Sequence, residues 1–266
     1  MDVTQPEPWN LVAHGYAETA AAHFEPYAIA ALRLAKVARG EHVLDVATGP
    51  GTLALPAAAI ARVTALDFSS QMIERVRTRA ARRGVELETR VGDGQDLPFP
   101  DACFDVAFSM FGLFLFPDRQ AGFRELARVL RPGGRAVVGS WVPRDAAHPF
   151  TRAGALLRTG EAAPLDDGAT PAMPLSDPAE IRDEMGAAGF EVTVERFEHV
   201  LRFASADALA SEMLRSHVGF MMAKKNTDPT SFDSLAAQLR TVLADTLGAG
   251  PVEVPLAAWL GYGVRR

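Results

Sequence analysis

The chain has a single cysteine, Cys103, among 266 residues, so no intramolecular disulfide can form. That usage fits a reducing, cytoplasmic setting. Cys103 falls in Asp101-Ala102-Cys103-Phe104-Asp105, at the start of an expected strand and with no histidine nearby. The surroundings that activate a thiolate nucleophile are therefore missing. An excess of positive charge is missing too: 27 Lys and Arg stand against 33 Asp and Glu, a net charge of −6. An acidic surface repels phosphate backbones, which argues against a nucleic-acid substrate. The one dense basic run, Arg75, Arg77, Arg79, Arg82 and Arg83, lies in an expected helix, where such runs form a solvated face. No apolar stretch is long enough for a membrane-spanning helix, and the first residues show no basic segment followed by an apolar core, so neither a span nor a secretory signal is expected. Internal repeats and long polar tracts are also absent. What remains is a chain that is 48% hydrophobic and 23% charged, suited to one large α/β domain with a substantial core.

From residue 40 to 142, short apolar strands alternate with helical stretches, the pattern of a parallel sheet with crossover helices. Strands are expected at 42–47, 63–67, 86–91, 104–110 and 135–141, with helices between them at 52–60, 70–83 and 119–130. Ser69 is the expected N-cap of the second of these helices and Gly84 its stop. Residues 8–38 have apolar positions at three- and four-residue spacing and are expected to be helical. The segment 143–176 breaks the rhythm with Pro143, Pro149, Pro164, Pro171 and Pro174 and an acidic Asp166-Asp167-Gly168 turn, and reads as a long loop. Asp177-Pro178 then starts a helix ending near Gly189. A strand at 191–203, helices at 206–223 and 231–247 and a last strand at 252–264 complete the expectation. This divides a single domain into an N-terminal helical lid (1–39), a ligand-binding core (40–142) and an acceptor-side region (143–266).

Chemistry gathers at the first strand–turn–helix. Gly49 and Gly51 follow a strand and precede a helix, where glycine permits unusual dihedrals and lets a ligand press on the backbone. The free N–H groups at the helix start favour a polar or anionic group. Gly49-Pro50-Gly51-Thr52-Leu53-Ala54 also fits the dinucleotide pattern G-x-G-x-x-A, so this motif alone leaves the ligand open. Asp67, ending the second strand, faces the crevice over that turn and can accept two hydrogen bonds from ribose hydroxyls. Asp45 separates the readings. An acid inside a buried parallel strand is costly unless paired, and a nicotinamide-binding strand does not need one.

Val43-Leu44-Asp45-Val46-Ala47-Thr48-Gly49-Pro50-Gly51 resembles motif I of class I S-adenosylmethionine-dependent methyltransferases, and more narrowly the ubiquinone/menaquinone-biosynthesis type that acts on small molecules. Four further blocks agree in order: Ala65-Leu66-Asp67-Phe68-Ser69-Ser70-Gln71-Met72; Gly92-Asp93-Gly94-Gln95-Asp96-Leu97-Pro98-Phe99-Pro100-Asp101; Phe104 to Ser109; and Leu130-Arg131-Pro132-Gly133-Gly134. Together they cover residues 40–142. Ala47 departs from the glycine of many members, which matters only if the position needs a positive φ.

The resemblance implies a Rossmann-like α/β fold: a mostly parallel seven-stranded sheet with an antiparallel last strand, helices on both faces and helical lid elements. It implies S-adenosylmethionine as cofactor, with S-adenosylhomocysteine as product. Carried residue by residue, Asp45 and Ala47 belong to the cofactor strand, and Gly49 and Gly51 form the floor beneath the methionine and ribose. Asp67 takes the ribose hydroxyls, while Phe68 and Met72 pack on the adenine. Asp93, Gly94 and Gln95 form the adenine loop. Ser109 brings backbone near the methionine ammonium, and Tyr16 resembles a lid aromatic.

Methyl transfer from a sulfonium is a direct displacement, and a general base is needed only when the acceptor must lose a proton. His148, just after the fifth strand, and His217, among Met213, Phe220, Met221 and Met222, are the candidate bases; His14 lies close to Tyr16. No metal site is expected. The apolar C-terminal helices suit either a core or a roomy pocket, so the expected acceptor is a small apolar or aromatic molecule of natural-product, quinone or polyketide type. The protein acting on it is a monomer or homodimer. Two other readings stay open: a methyltransferase-fold protein that binds the cofactor but catalyses another reaction or serves as a binding partner, and a nicotinamide oxidoreductase.

Overall fold

A computed structural model describes residues 2–160 and 173–266. Its centre is β1 (His42–Val46), whose last four residues are buried on both faces, as a parallel strand between helical layers requires. β2 (Arg62–Asp67) and β3 (Glu88–Val91) extend the sheet to one side. β4 (Phe104–Met110) and β5 (Leu130–Trp141) extend it to the other. The final hairpin, β6 (Phe190–Phe203) and β7 (Val252–Arg265), gives the order β3-β2-β1-β4-β5-β7-β6, with β7 antiparallel to both neighbours. The chain switches direction across the sheet between β1 and β4, so a crevice opens outside their carboxyl ends.

Alternation along β1 sends Val43 into a core beneath α3 (Ala54–Ala58) and α4 (Ser70–Arg83), while Leu44 and Val46 join the core beneath α5 (Arg119–Val129) and α7 (Pro178–Ala187). α4 begins and ends as its sequence signals: Ser69 Oγ accepts from the Met72 N–H, and Gly84 closes the helix at φ +64. The remaining helices pack together as a layer: α1 (Pro6–Glu18), α6 (Pro149–Thr159), α8 (Ala206–Ser216), α9 (Val218–Asn226) and α10 (Pro229–Leu247). α2 (Ala20–Leu34) leads from α1 back to the sheet. No described helix is long and apolar enough to cross a membrane.

Three expectations about elements are corrected. The helix expected over 8–38 is two helices, broken at Thr19, whose N–H and hydroxyl both turn back to the Gly15 carbonyl. The supposed loop 143–176 contains α6: His148 Nδ1 accepts from the Phe150 N–H, and Pro149 takes the first helical position, where its missing N–H costs nothing. The acidic turn 166–168 lies outside the described residues. The helix expected over 206–223 breaks at His217, which caps α9 through Nδ1 and the Gly219 N–H.

Candidate functional site

At the carboxyl ends of β1, β2 and β4, a cleft of about 1110 Å³ opens, its mouth included. Part of its lining is polar. Asp45 is buried in β1, where its Oδ2 accepts from the Thr48 hydroxyl at 2.6 Å and the Ala54 N–H at 3.1 Å. It thereby ties the turn to the first residue of α3. Asp67 ends β2. Its Oδ2 accepts from the Gly49 N–H at 2.8 Å and its Oδ1 from the Ser69 N–H at 2.9 Å. Each oxygen keeps lone-pair capacity for a further donor in the cleft. Burial pushes the Asp45 carboxyl up to about 7, against the pull of Thr48 and Ala54. The same desolvation raises Asp67 to about 6, against the N–H groups of Ser69 and Gly49.

The turn between these acids is conformationally demanding. Ala47 has φ +55, Gly49 φ +55 and Gly51 φ +81. A left-handed alanine costs about 1–2 kcal/mol. The position that the family resemblance left in doubt therefore does require a positive φ. Its methyl group lies where a side chain on Gly112 would stand, since a Cβ built there would fall 2.3 Å from the Ala47 Cβ. Arg79, grouped in the sequence with a solvated basic face, instead donates to the Pro50 carbonyl at 2.6 Å and props the turn from α4.

Ten of the sequence-selected cofactor residues line the cleft: Tyr16, Asp45, Ala47, Gly49, Asp67, Phe68, Met72, Asp93, Gly94 and Gln95. Asp93 Oδ1 accepts from the Gln95 N–H, while Gln95 Oε1 accepts from the Asp118 N–H ahead of α5. Gly94 has no room for a side chain: a Cβ would lie 2.5 Å from the Phe116 ring and 2.8 Å from Val46. Gly51 and Ser109 lie outside the lining. A Cβ on Gly51 would meet Leu55 and Val76, so this glycine serves the turn and the core beneath it rather than the ligand's approach. Ser109 is buried in β4, and its hydroxyl has no partner among the described residues.

The histidines stand elsewhere. The accepting Nδ1 of His217 is used as the α9 cap, and burial, then Arg144, pushes its imidazole down to about 4. His148 spends Nδ1 on Phe150, and its Nε2 lies 3.1 Å from the Pro255 carbonyl, which assigns the proton to Nε2. Neither ring lines the cleft, and neither has a free lone pair with which to take a proton from an acceptor. His14 is exposed and pairs with Glu18. The three histidines that the sequence singled out thus stand apart from the residues that line the cleft.

The same cleft is lined by aromatic side chains as well, and sequence reasoning missed most of them. Trp9, Phe24, Phe111 and Phe116 join Tyr16 in the lining. Tyr16 stacks on Phe24 with centroids 5.7 Å apart, and Phe24 leans on Phe111 at 5.5 Å. Phe111 lies 4.0 Å from Trp141 at an interplanar angle of 16°. Phe111 holds φ +63, a strained conformation for a bulky residue, kept in place by this stack and by its N–H to the Gly139 carbonyl. Burial and the nearby Asp67 charge raise the Tyr16 phenol well above its ordinary value, so it stays protonated at neutral pH.

A model of the methyltransferase domain matches residues 43–134, which include the acids and the glycine turn of the cleft. An uncharacterised protein of Mycobacterium tuberculosis is 41% identical over 126 residues, 47% of this chain and 45% of its own length. The chain thus spans less than half the length of such mycobacterial relatives. Nocamycin O-methyltransferase of Saccharothrix syringae is 31% identical over 92% of both chains. Among solved structures, the YcgJ protein of Bacillus subtilis superposes with a TM-score of 0.58 at 21% identity, over 88% of this chain and 96% of that one, a likeness of fold. With motif, topology and near full-length similarity in agreement, the chain belongs to the class I S-adenosylmethionine-dependent methyltransferases.

Proposed function

We propose that this protein transfers the methyl group of S-adenosylmethionine to a small apolar or aromatic molecule by direct displacement. The observation that carries the acceptor class is the aromatic part of the lining, where Tyr16, Phe24 and the strained Phe111 share one cleft with Asp45, Gly49 and Asp67. Flat, weakly polar groups pack best on such a surface. The likeness to nocamycin O-methyltransferase supports an acceptor of natural-product type.

The residues present fit the donor. Asp67 retains lone pairs for a ribose diol, and open space lies above Gly49, with no atom within 4 Å of where a Cβ would stand. Phe68 and Met72 supply an apolar slot for a flat base, beside the Asp93–Gln95 loop. When bound, S-adenosylmethionine supplies a methyl already activated on a cationic sulfur. The chain's own task is to orient and to exclude water. Asp45 and Arg79 hold the turn, Asp67 anchors the ligand, and α1 covers the cleft with Trp9 and Tyr16. With His148 and His217 engaged as helix caps, this reading uses no histidine base. An acceptor hydroxyl acidic enough to ionise needs none.

The test is production of S-adenosylhomocysteine in mixtures of the protein, S-adenosylmethionine and a panel of phenolic, quinone and polyketide-type acceptors, followed by mass spectrometry. Acceptor-dependent product with a 14-dalton mass gain supports the proposal. Donor binding without turnover on any acceptor in a broad panel would favour a binding or non-methylating role instead.

A further inference from the structure

We infer that Asn10 is a positioning residue, the latch that holds α1 over the donor cleft and couples its closure to Asp67. The inference rests on the reading of this cleft as the S-adenosylmethionine site. Asn10 lies mid-way along α1, between Trp9 and Tyr16, which line the cleft, and beside Val12 and Ala13, which are buried with Met72. Its amide oxygen meets the start of α4. The Ser69 hydroxyl donates to Asn10 Oδ1 at 2.7 Å, and the Gln71 N–H donates to the same oxygen at 3.3 Å.

A helix N-terminus carries N–H groups with no partner inside the helix. Here Ser69 Oγ takes the Met72 N–H at 3.1 Å and Asn10 takes that of Gln71. The lid thus supplies part of the cap of α4. Ser69 is fully buried beneath it, and its own N–H donates to Asp67 Oδ1, whose other oxygen holds the Gly49 N–H. One hydrogen-bonded chain runs from lid to acid to glycine turn. At the far end of α1 a second fit fixes the helix: a Cβ on Gly15 would fall 2.2 Å from the Arg215 carbonyl oxygen at the end of α8. With α1 seated, Trp9 and Tyr16 form one wall of the cleft, so breaking the Asn10 contacts frees that wall and speeds donor exchange.

The experiment compares wild type with Asn10→Leu, which keeps the branched shape but removes the acceptor, and Asn10→Asp, which keeps accepting oxygens for both donors. S-adenosylhomocysteine release is followed by stopped-flow tryptophan fluorescence, and amide hydrogen exchange over 6–18 is measured without ligand. Asn10→Leu is expected to speed both release and α1 exchange about tenfold or more, because both bonds that Asn10 Oδ1 accepts are lost. Asn10→Asp is expected to stay within about twofold of wild type. Unchanged α1 exchange in Asn10→Leu, or equal acceleration in both variants, overturns the latch. Wild-type protein that binds no S-adenosylhomocysteine overturns the donor reading instead, and the exchange measurement still decides the latch on its own.

Discussion

Lowering the pH from 7.5 to 5 should weaken S-adenosylhomocysteine binding about tenfold through Asp67 alone. Burial lifts this carboxyl from 3.8 to about 6, outweighing the two backbone N–H groups that favour its charged form. Ribose hydroxyls donate, so they select the ionised carboxylate, and affinity should follow the ionised fraction. With a pKa near 6, that fraction is nearly complete at pH 7.5 and about one part in eleven at pH 5. Asp45 adds a second step. Its carboxyl, raised to about 7, holds the turn through Thr48 and Ala54 in the form that accepts both bonds. If ligand binding needs Asp45 ionised as well, the loss steepens from one proton per ligand toward two.

Calorimetric titration at half-unit steps of pH reads the slope directly. Asp67→Asn should bind weakly and flatten one proton from the profile. Its amide nitrogen would face a backbone N–H of Gly49 or Ser69, so it restores neither the charge nor the full hydrogen bonding. In the ligand-free protein the sign reverses. Both acids have folded values above 3.8, so their contribution to stability is complete below that value and is lost as pH rises through about 6 and 7. A wild-type affinity that changes less than about twofold between pH 7.5 and 5 would refute the placement of the ribose on Asp67.

Gly51→Val should lower stability by about 2–4 kcal/mol, read as a shift in denaturant midpoint, because φ +81 and the contacts with Leu55 and Val76 both oppose a branched side chain; an unchanged midpoint would contradict the turn geometry. His217→Ala should cost about 1 kcal/mol as a lost helix cap, while His217→Asn keeps most of it. S-adenosylhomocysteine affinity should be unaltered in both, and a selective loss of turnover in the Asn variant would restore the histidine as a base. Ala47→Gly should stabilise by about 0.5–1 kcal/mol by relieving φ +55; a lower melting temperature would show that the methyl packed against Gly112 outweighs the strain.

The parallel half of the fold was legible because the central strands β1, β2 and β4 are short, mostly apolar runs, and strands buried on both faces admit little else. The misread elements share a physical cause. Apolar spacing runs straight through Thr19, and nothing local announces that its hydroxyl and N–H both return to Gly15. In 143–176 the prolines look like breakers, yet Pro149 starts α6 because a histidine, outside the usual set of capping residues, precedes it. His217 breaks the next helix pair in the same way. Both histidines attracted a catalytic reading because imidazole is the common base, and both use the nitrogen that reading needed for a backbone N–H.

The site divides along the same line. Asp45, Gly49 and Asp67 were readable because they act within one strand–turn–helix and the strand paired beside it, so their spacing is local. Asn10 meets Ser69 across 59 residues, Arg79 meets Pro50 across 29, and Phe111 is held by Trp141 and Phe24 from other elements. No spacing rule reports such meetings, which are decided by how the elements pack. The asymmetry follows from what the two halves bind. On the proposed function, the donor is held by the local strand–turn–helix around Gly49 and Asp67. On the same reading, the acceptor is met by side chains gathered from separate elements, among them Phe24 of α2 and Phe111 just past β4. Acceptor preference should therefore move with Phe24 and Phe111 while donor affinity stays with Asp67, and a Phe111→Leu variant that alters both equally would argue against that separation.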